Sequence, residues 1–301
     1  PAPTVPMLPG GKRERIFAPI LLILSLIIGS TGPYAGLGFA IPYMLIGAVT
    51  IWYVWKKETF SAYYDALTED VDRAVIADRC EELLAQYHPK RELALDLCCG
   101  TGTLATELAR RGFEVIGVDA SPEMLMQAAE KNMALERPVL YLCQPLEQLD
   151  LYGTVDLAVC TLDSLNHLPG KKALQKALHR LQFFVEPGGL FLFDVNTPYK
   201  HREVLGNNCF VRESEALFCV WQNEYTPEEH KVEIQMDFFR RGKGEQYTRD
   251  GEQFCEWAWE DEELTAMLEA EHFEVLERWG GYDRAPVMPT TQRMVYVTRR
   301  R

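Results

Sequence analysis

At 301 residues the chain is long enough for one good-sized α/β domain plus a smaller module, and 47% hydrophobic with 25% charged residues excludes a disordered polymer. The net charge of −13 is uneven, with residues 1–58 carrying +3 and the remainder −16. A domain that acidic repels a phosphate backbone, so nucleic acid is a poor partner.

Residues 1–11 form a Pro- and Gly-rich leader, and Lys12, Arg13 and Arg15 follow. Two uncharged runs come next, Ile16–Gly32 and Tyr34–Trp55, of 17 and 22 residues, closed by Lys56 and Lys57. Each is near the roughly 20 residues that cross a bilayer as a helix, and Trp52, Tyr53 and Trp55 suit an interfacial belt. Both basic clusters lie at the outer ends, so 1–58 is expected to be a leader and a transmembrane two-helix hydrophobic hairpin. The membrane would then be a partner, and everything after Glu58 would face the cytoplasm. The eight cysteines (80, 98, 99, 143, 160, 209, 219, 255) form no CxxC pair and no zinc-ligand spacing with histidine. They are read as reduced, small apolar residues, and no metal is expected.

Phe60–Tyr87 is predicted to be mostly helical, with Val71, Val75, Ile76, Leu83 and Leu84 on one face. Tyr63, Tyr64 and Asp65 precede the main helix and could fold over a cleft. Leu93–Leu97 is an apolar strand, Gly100-Thr101-Gly102-Thr103 a turn, Leu104–Arg111 a helix and Phe113–Val118 a second strand that ends at Asp119. This βαβ half-unit is built for a nucleoside-bearing cofactor. Glycines admit close backbone approach, helix N-terminal amides face the ligand, and a carboxylate about 20 residues on takes ribose hydroxyls. Ser121-Pro122-Glu123 caps a helix through Asn132, followed by strands Val139–Cys143 and Val155–Thr161. Helix Lys171–Val185 is expected to end at Pro187-Gly188-Gly189, before strand Leu190–Val195.

Residues 204–260 change character. Alternation over Leu217–Tyr225 and Val232–Phe238, with turns near Thr226–Glu229 and Arg241–Glu245, predicts an antiparallel sheet. Helix Asp261–Ala270 and strands Phe273–Glu277 and Arg293–Thr298 resume the first pattern, the two strands able to pair antiparallel. The expected fold is α/β: a Rossmann-like, doubly wound, mostly parallel seven-stranded sheet with a small antiparallel β insertion. The cofactor-binding domain would comprise 59–203 and 261–301, and 204–260 would form an inserted lid.

The glycine pattern Gly100-x-Gly102-x-x-Ala105 alone leaves the cofactor open, since a nicotinamide-dependent oxidoreductase could use the same loop. A nucleoside-binding adaptor without catalysis is a further alternative. Asp96, four residues before Gly100, suits a cofactor with a cationic amino-acid end, and no second βαβαβ half follows.

The motifs LALDLCCGTG, VIGVDASPEML and Pro187-Gly188-Gly189 before FLFDVNT, together with YYDALTEDVD, LDSLNHL and FDVNTPYKHREVL, resemble those of class I S-adenosylmethionine-dependent methyltransferases over residues 60–301. The resemblance implies S-adenosyl-L-methionine as cofactor and methyl transfer by in-line displacement to a small-molecule acceptor, with the hairpin outside the family pattern. It implies Asp96, Cys98, Gly100, Gly102 and Leu162 around the loop and methionine end. Asp119 and Ala120 would lie at the ribose and Met124 on the adenine. Where such proteins often carry an acidic residue, this chain has Cys143-Gln144-Pro145-Leu146, so Gln144 or the Leu146 backbone would meet the adenine amino group. Candidates at the acceptor side are His167 as general base, with Asp194 and Asn196, at the strand ends where α/β clefts open. Tyr63, Tyr64, Asp163, Asn166 and Trp221 would contact the acceptor.

Overall fold

The computed structural model describes residues 60–87, 93–214, 217–242, 244 and 246–301. The expected hairpin lies outside them. Among the described residues, no helix is long and apolar enough to cross a membrane.

Seven strands form one sheet in the order β10-β11-β5-β4-β1-β2-β3. They are β1 (Leu93–Leu97), β2 (Glu114–Asp119), β3 (Leu140–Cys143), β4 (Val155–Cys160), β5 (Val185–Asn196), β10 (Phe273–Trp279) and β11 (Arg293–Arg300). All neighbours run parallel except β11, which pairs antiparallel with both β5 and β10. The helices are α1 (Ser61–Leu67), α2 (Arg73–Tyr87), α3 (Thr103–Arg110), α4 (Pro122–Asn132), α5 (Lys171–Leu181) and α6 (Asp261–Ala270). Helices cover both faces of this sheet, which is why β4 can be buried along its whole length as the run Val-Asp-Leu-Ala-Val-Cys. Leu97, Ala158, Phe193 and Tyr296 belong to one apolar cluster, with α5 and α6; Ala94, Leu157, Leu192 and Val295 belong to the other, with α2 and α3.

The largest boundary differences from the sequence expectation lie at α5 and β5. Helix α5 stops at Leu181, and β5 begins at Val185 rather than Leu190. The segment 186–189 bulges between Val185, opposite Val155, and Leu190, opposite Leu157. Gly189 is obligatory there, because a Cβ would sit 2.9 Å from the Glu186 carbonyl oxygen. The Phe60–Tyr87 stretch also breaks into α1 and α2. Arg73 closes the break, donating to the carbonyls of Thr68 and Val71 and to Thr68 Oγ1.

A second, four-stranded antiparallel sheet has the order β6-β7-β8-β9: Cys209–Glu213, Leu217–Thr226, Lys231–Arg241 and Tyr247–Trp257. Val232, Ile234, Met236 and Phe238 alternate inward from β8 and meet Cys219, Leu205 and Tyr63. The end of β9 is tied to the carboxyl edge of the large sheet. Asn166 Nδ2 donates to the Trp257 carbonyl (2.8 Å), and Trp259 Nε1 donates to the Leu165 carbonyl (3.2 Å). This junction, at the carboxyl ends of β4 and β5, is where open α/β sheets leave a crevice.

Candidate active site

The loop after β1 is held open by backbone geometry. Cys98, Gly100 and Gly102 all take positive φ (53°, 54° and 71°), and Gly102 N donates to the Cys99 carbonyl (2.9 Å). Gly102 starts α3, where a Cβ would fall 2.3 Å from Tyr141 Oη and 2.8 Å from Ala128 Cβ. A side chain there is excluded twice, by sterics and by backbone conformation. At the end of β2, Asp119 accepts from Gly100 N (2.8 Å) and Ser121 N (2.8 Å), so one carboxylate ties the loop to the start of α4. Burial raises its carboxyl above the usual range.

Asp96 in β1 is 2% exposed, and burial pushes its carboxyl up to about 8 despite a hydrogen bond from the Ala105 amide. Its Oδ2 is buried and has no partner. It lines a small opening with Tyr64, Arg73, Cys98, Thr101 and Leu162, whose free volume of about 20 Å³ suits one water. The covering element is α1. The Tyr64 ring lies 3.6 Å from the position a Gly100 Cβ would take. Asp65 accepts from Thr101 and Thr103 and pairs with Lys131 at 2.6 Å.

A buried carboxylate oxygen without a partner, bare glycines and a second carboxylate at the end of β2 with lone pairs to spare suit a nucleoside cofactor with a cationic amino-acid end. Residues 94–189 match the family model of a methyltransferase domain. The chain is 32% identical over 210 residues to YqeM of Bacillus subtilis, named as a candidate methyltransferase; the match covers 69% of this chain and 83% of that one. The chain belongs to the S-adenosylmethionine-dependent methyltransferases. A crystal structure of such an enzyme from Clostridium acetobutylicum superposes with a TM-score of 0.74 at 30% identity, covering 79% of this chain and 96% of that one. A candidate methyltransferase of Geobacillus sp. is 29% identical over 245 residues, 81% of this chain and 99% of its own length. This membership decides against the nicotinamide and adaptor alternatives: the cofactor is S-adenosyl-L-methionine and the protein is an enzyme. The cofactor supplies a methyl group already activated on a sulfonium. Asp96, Gly100, Gly102 and Asp119 would hold it, on the chemistry of the loop they line.

On the adenine side, the Gln144 amide expected to meet the cofactor is engaged within its own loop. Gln144 spends its amide on Asp150, accepting from its N–H (2.9 Å) and donating to its carbonyl (3.2 Å). Leu146 is buried in the large core. Gln144 thus clips its own loop, and the Leu146 side chain packs. Met124 is half-buried and Ala120 exposed, both at the start of α4 beside Asp119.

At the acceptor side, several residues expected to act on a substrate instead hold the frame. Asp194, fully buried, accepts from Leu162 N (2.8 Å), Asp163 N (2.8 Å), Tyr282 Oη (2.7 Å) and Arg293. Leu162 and Asp163 both have positive φ (58° and 53°), so Asp194 anchors a strained turn and its oxygens are committed. Asn166 is fully buried; besides Trp257 its Nδ2 donates to the Asn196 carbonyl (3.2 Å), and its Oδ1 accepts from Asn196 N (2.9 Å). Asn196 in turn donates to Glu256 (2.9 Å) and accepts from Lys200 (2.8 Å). Asn166 has no amide hydrogen left for an acceptor, and the Asn196 side chain is engaged at both of its ends. Tyr63 stacks on Phe238 with ring centroids 5.0 Å apart, and Trp221 packs against Phe210 and donates to Asn223 (2.7 Å). Both belong to the core of the small sheet.

The residues left facing the crevice are Tyr64, Asp163 and His167, joined by Glu256 from β9. One ligand atom each of Asp163, His167 and Glu256 lie within 4.8 Å of one another, a spacing that could hold a metal ion. Burial alone would raise the Asp163 carboxyl, but Arg293, Lys200 and His167 outweigh it and hold it at about 2. Burial lowers Lys200, opposed by Asp163. His201, wholly buried, bonds Glu256 through Nε2 (3.0 Å) and leaves Nδ1 without a partner. Glu256, Lys200, His201 and Arg293 were not singled out from sequence. The charged run YKHRE after β5 was the one local signal for two of them. A separate depression of about 570 Å³, lined by Lys171, Glu229, His230, Trp257 and Glu263 among others, touches none of the loop residues.

Proposed function

We propose that this enzyme methylates a small-molecule acceptor bound between the carboxyl edge of β4 and β5 and the end of β9. The convergence of Asp163, His167 and Glu256 carries the reading, because it gathers acid–base groups at the turn after β4, next to Leu162, which lines the small opening with Tyr64 and Asp96. His167, 40% exposed with Nε2 3.8 Å from Asp163 Oδ2, is the proton acceptor, and Asp163 beside it orients the imidazole. The chain's remaining contribution is positioning: the anchored turn after β4, the covering helix α1 and the wall of β9 fix the approach. The acidic charge after residue 58 argues against nucleic acid as acceptor. We extend the proposal to membrane attachment through the apolar segment 16–55.

The test is transfer of a radiolabelled methyl group into whole lysate, then separation into lipid, protein, RNA and metabolite fractions. Label in the metabolite or lipid fraction is expected. Label confined to protein or RNA refutes the small-molecule acceptor. A chain lacking residues 1–58 should leave the membrane pellet and still bind cofactor; equal pelleting of both chains would remove the tether.

A further inference from the structure

The crevice carries an unbalanced charge. Asp163, Asp194 and Glu256 are negative; Lys200 and Arg293 are positive. With His167 and His201 counted as neutral, the group is one positive charge short. The other groups that face it are phenols: Tyr282, hydrogen-bonded to Asp194, and Tyr64 on α1, which Asp163 pushes toward its neutral form beyond the effect of burial itself. A buried site with an uncompensated anion favours a cation and penalises an alkoxide or carboxylate. Asp194 is enclosed by four donors and Asp163 Oδ1 takes Arg293, so the unmatched charge lies at Asp163 Oδ2 and Glu256, next to His167.

We infer that the acceptor presents an amine that enters as an ammonium between Asp163, Glu256 and His167. This rests on the small-molecule reading above and narrows it to a class of reacting atom. The ammonium gives one proton to His167 Nε2. The freed nitrogen lone pair forms the new N–C bond as the C–S bond breaks, and sulfur keeps that bonding pair as a neutral thioether. The product is a methylated ammonium, and His167, exposed on one side, returns its proton to solvent. Glu256 is a binding residue for the cation. His201 and Asn196, both bonded to Glu256, are positioning residues behind it. A hydroxyl acceptor would need the opposite electrostatics, with donors or a cation around the developing oxyanion.

The full-length enzyme is incubated with radiolabelled cofactor and the small-molecule fraction of lysate, half of it first treated with an acetylating N-hydroxysuccinimide ester that caps primary and secondary amines. Incorporation is expected to fall at least tenfold after capping and to survive a chelator. With the labelled amine in hand, Glu256→Gln should raise KM about tenfold or more with a smaller change in kcat, since it removes one charge from a desolvated pair. Cofactor affinity should stay within a factor of two. Label that persists after capping overturns the amine and leaves the small-molecule reading standing. Loss of activity with chelator, restored by a divalent cation, assigns the three residues to a metal instead. No label in either half, with the cofactor bound, overturns both readings.

Discussion

Asp96 stands out among the carboxylates around the loop. No cation among the described residues is bonded to it, and burial holds its carboxyl at about 8 against an ordinary value near 4. Between those two values the folded chain binds a proton that the unfolded chain has lost. Stability from this group is therefore full below about pH 4 and is lost as pH rises toward 8. The Tm of the cofactor-free protein should fall over that interval, and Asp96→Asn should flatten the fall while abolishing tight cofactor binding. Equal slopes for the two proteins in a calorimetric pH series would reject this account. An ammonium arriving beside Asp96 reverses its preference, so cofactor binding at pH 7 should release a proton. Titration calorimetry in buffers of different ionisation enthalpy reads that release directly.

Among the elements, the β1–α3 turn tolerates least change. Gly102→Ala meets both a left-handed backbone and an overlap with Tyr141 and Ala128, whereas Gly112, at φ 92°, has nothing within 4 Å of its Cβ position. The backbone term alone is worth about 1–2 kcal/mol. Gly112→Ala should lose about that much by urea denaturation, and Gly102→Ala should lose more and also bind cofactor poorly. Similar losses at the two sites would show that packing around Gly102 is soft. This element was also the most legible in the sequence. Its strand, turn, helix and acidic terminus are contiguous, and each obeys a local rule of period or conformation. The buried strands of the large sheet were legible for the same reason. Strands β6 and β9 were not, because CFVRE and YTRDGEQFCEW lie on the solvated edges of the small sheet and carry little alternation. The acceptor side depends on meetings no local pattern reports. Arg293 reaches Asp163 across 130 residues, and Asn196 reaches Glu256 across 60. Asp194 and Asn196 were visible as polar residues ending a strand, but nothing in the sequence told a proton acceptor from an anchor.

For the whole described molecule, α1 joins the two sheets a second time, beside the junction at the end of β9. Adjacent tyrosines divide the work: Tyr63 is packed into the small sheet's core, while Tyr64 lies over Gly100 in the large sheet's loop. Phe60 adds contacts to Phe238 and Phe254, with centroids 5.9 and 6.1 Å apart. With α1 in this place, about 20 Å³ remains free around Asp96, far less than any nucleoside needs, so α1 is expected to move before cofactor enters. The polar half of its attachment is Asp65, bonded to Thr101, Thr103 and Lys131, and that pair is half-exposed. A pair of that kind contributes on the order of 0.5–1 kcal/mol, a factor of about two to five in the open population. Lys131→Met should therefore raise the association rate for cofactor by about that factor in stopped-flow fluorescence. Tyr63→Ala, which loosens the apolar half, should raise it further and expose the Arg73 bond to trypsin in the cofactor-free protein. Saturating cofactor should restore protection in both variants, because the same helix closes over the occupied loop. If association is unchanged in both, α1 is not the gate, and the cofactor enters from the α4 side past Met124.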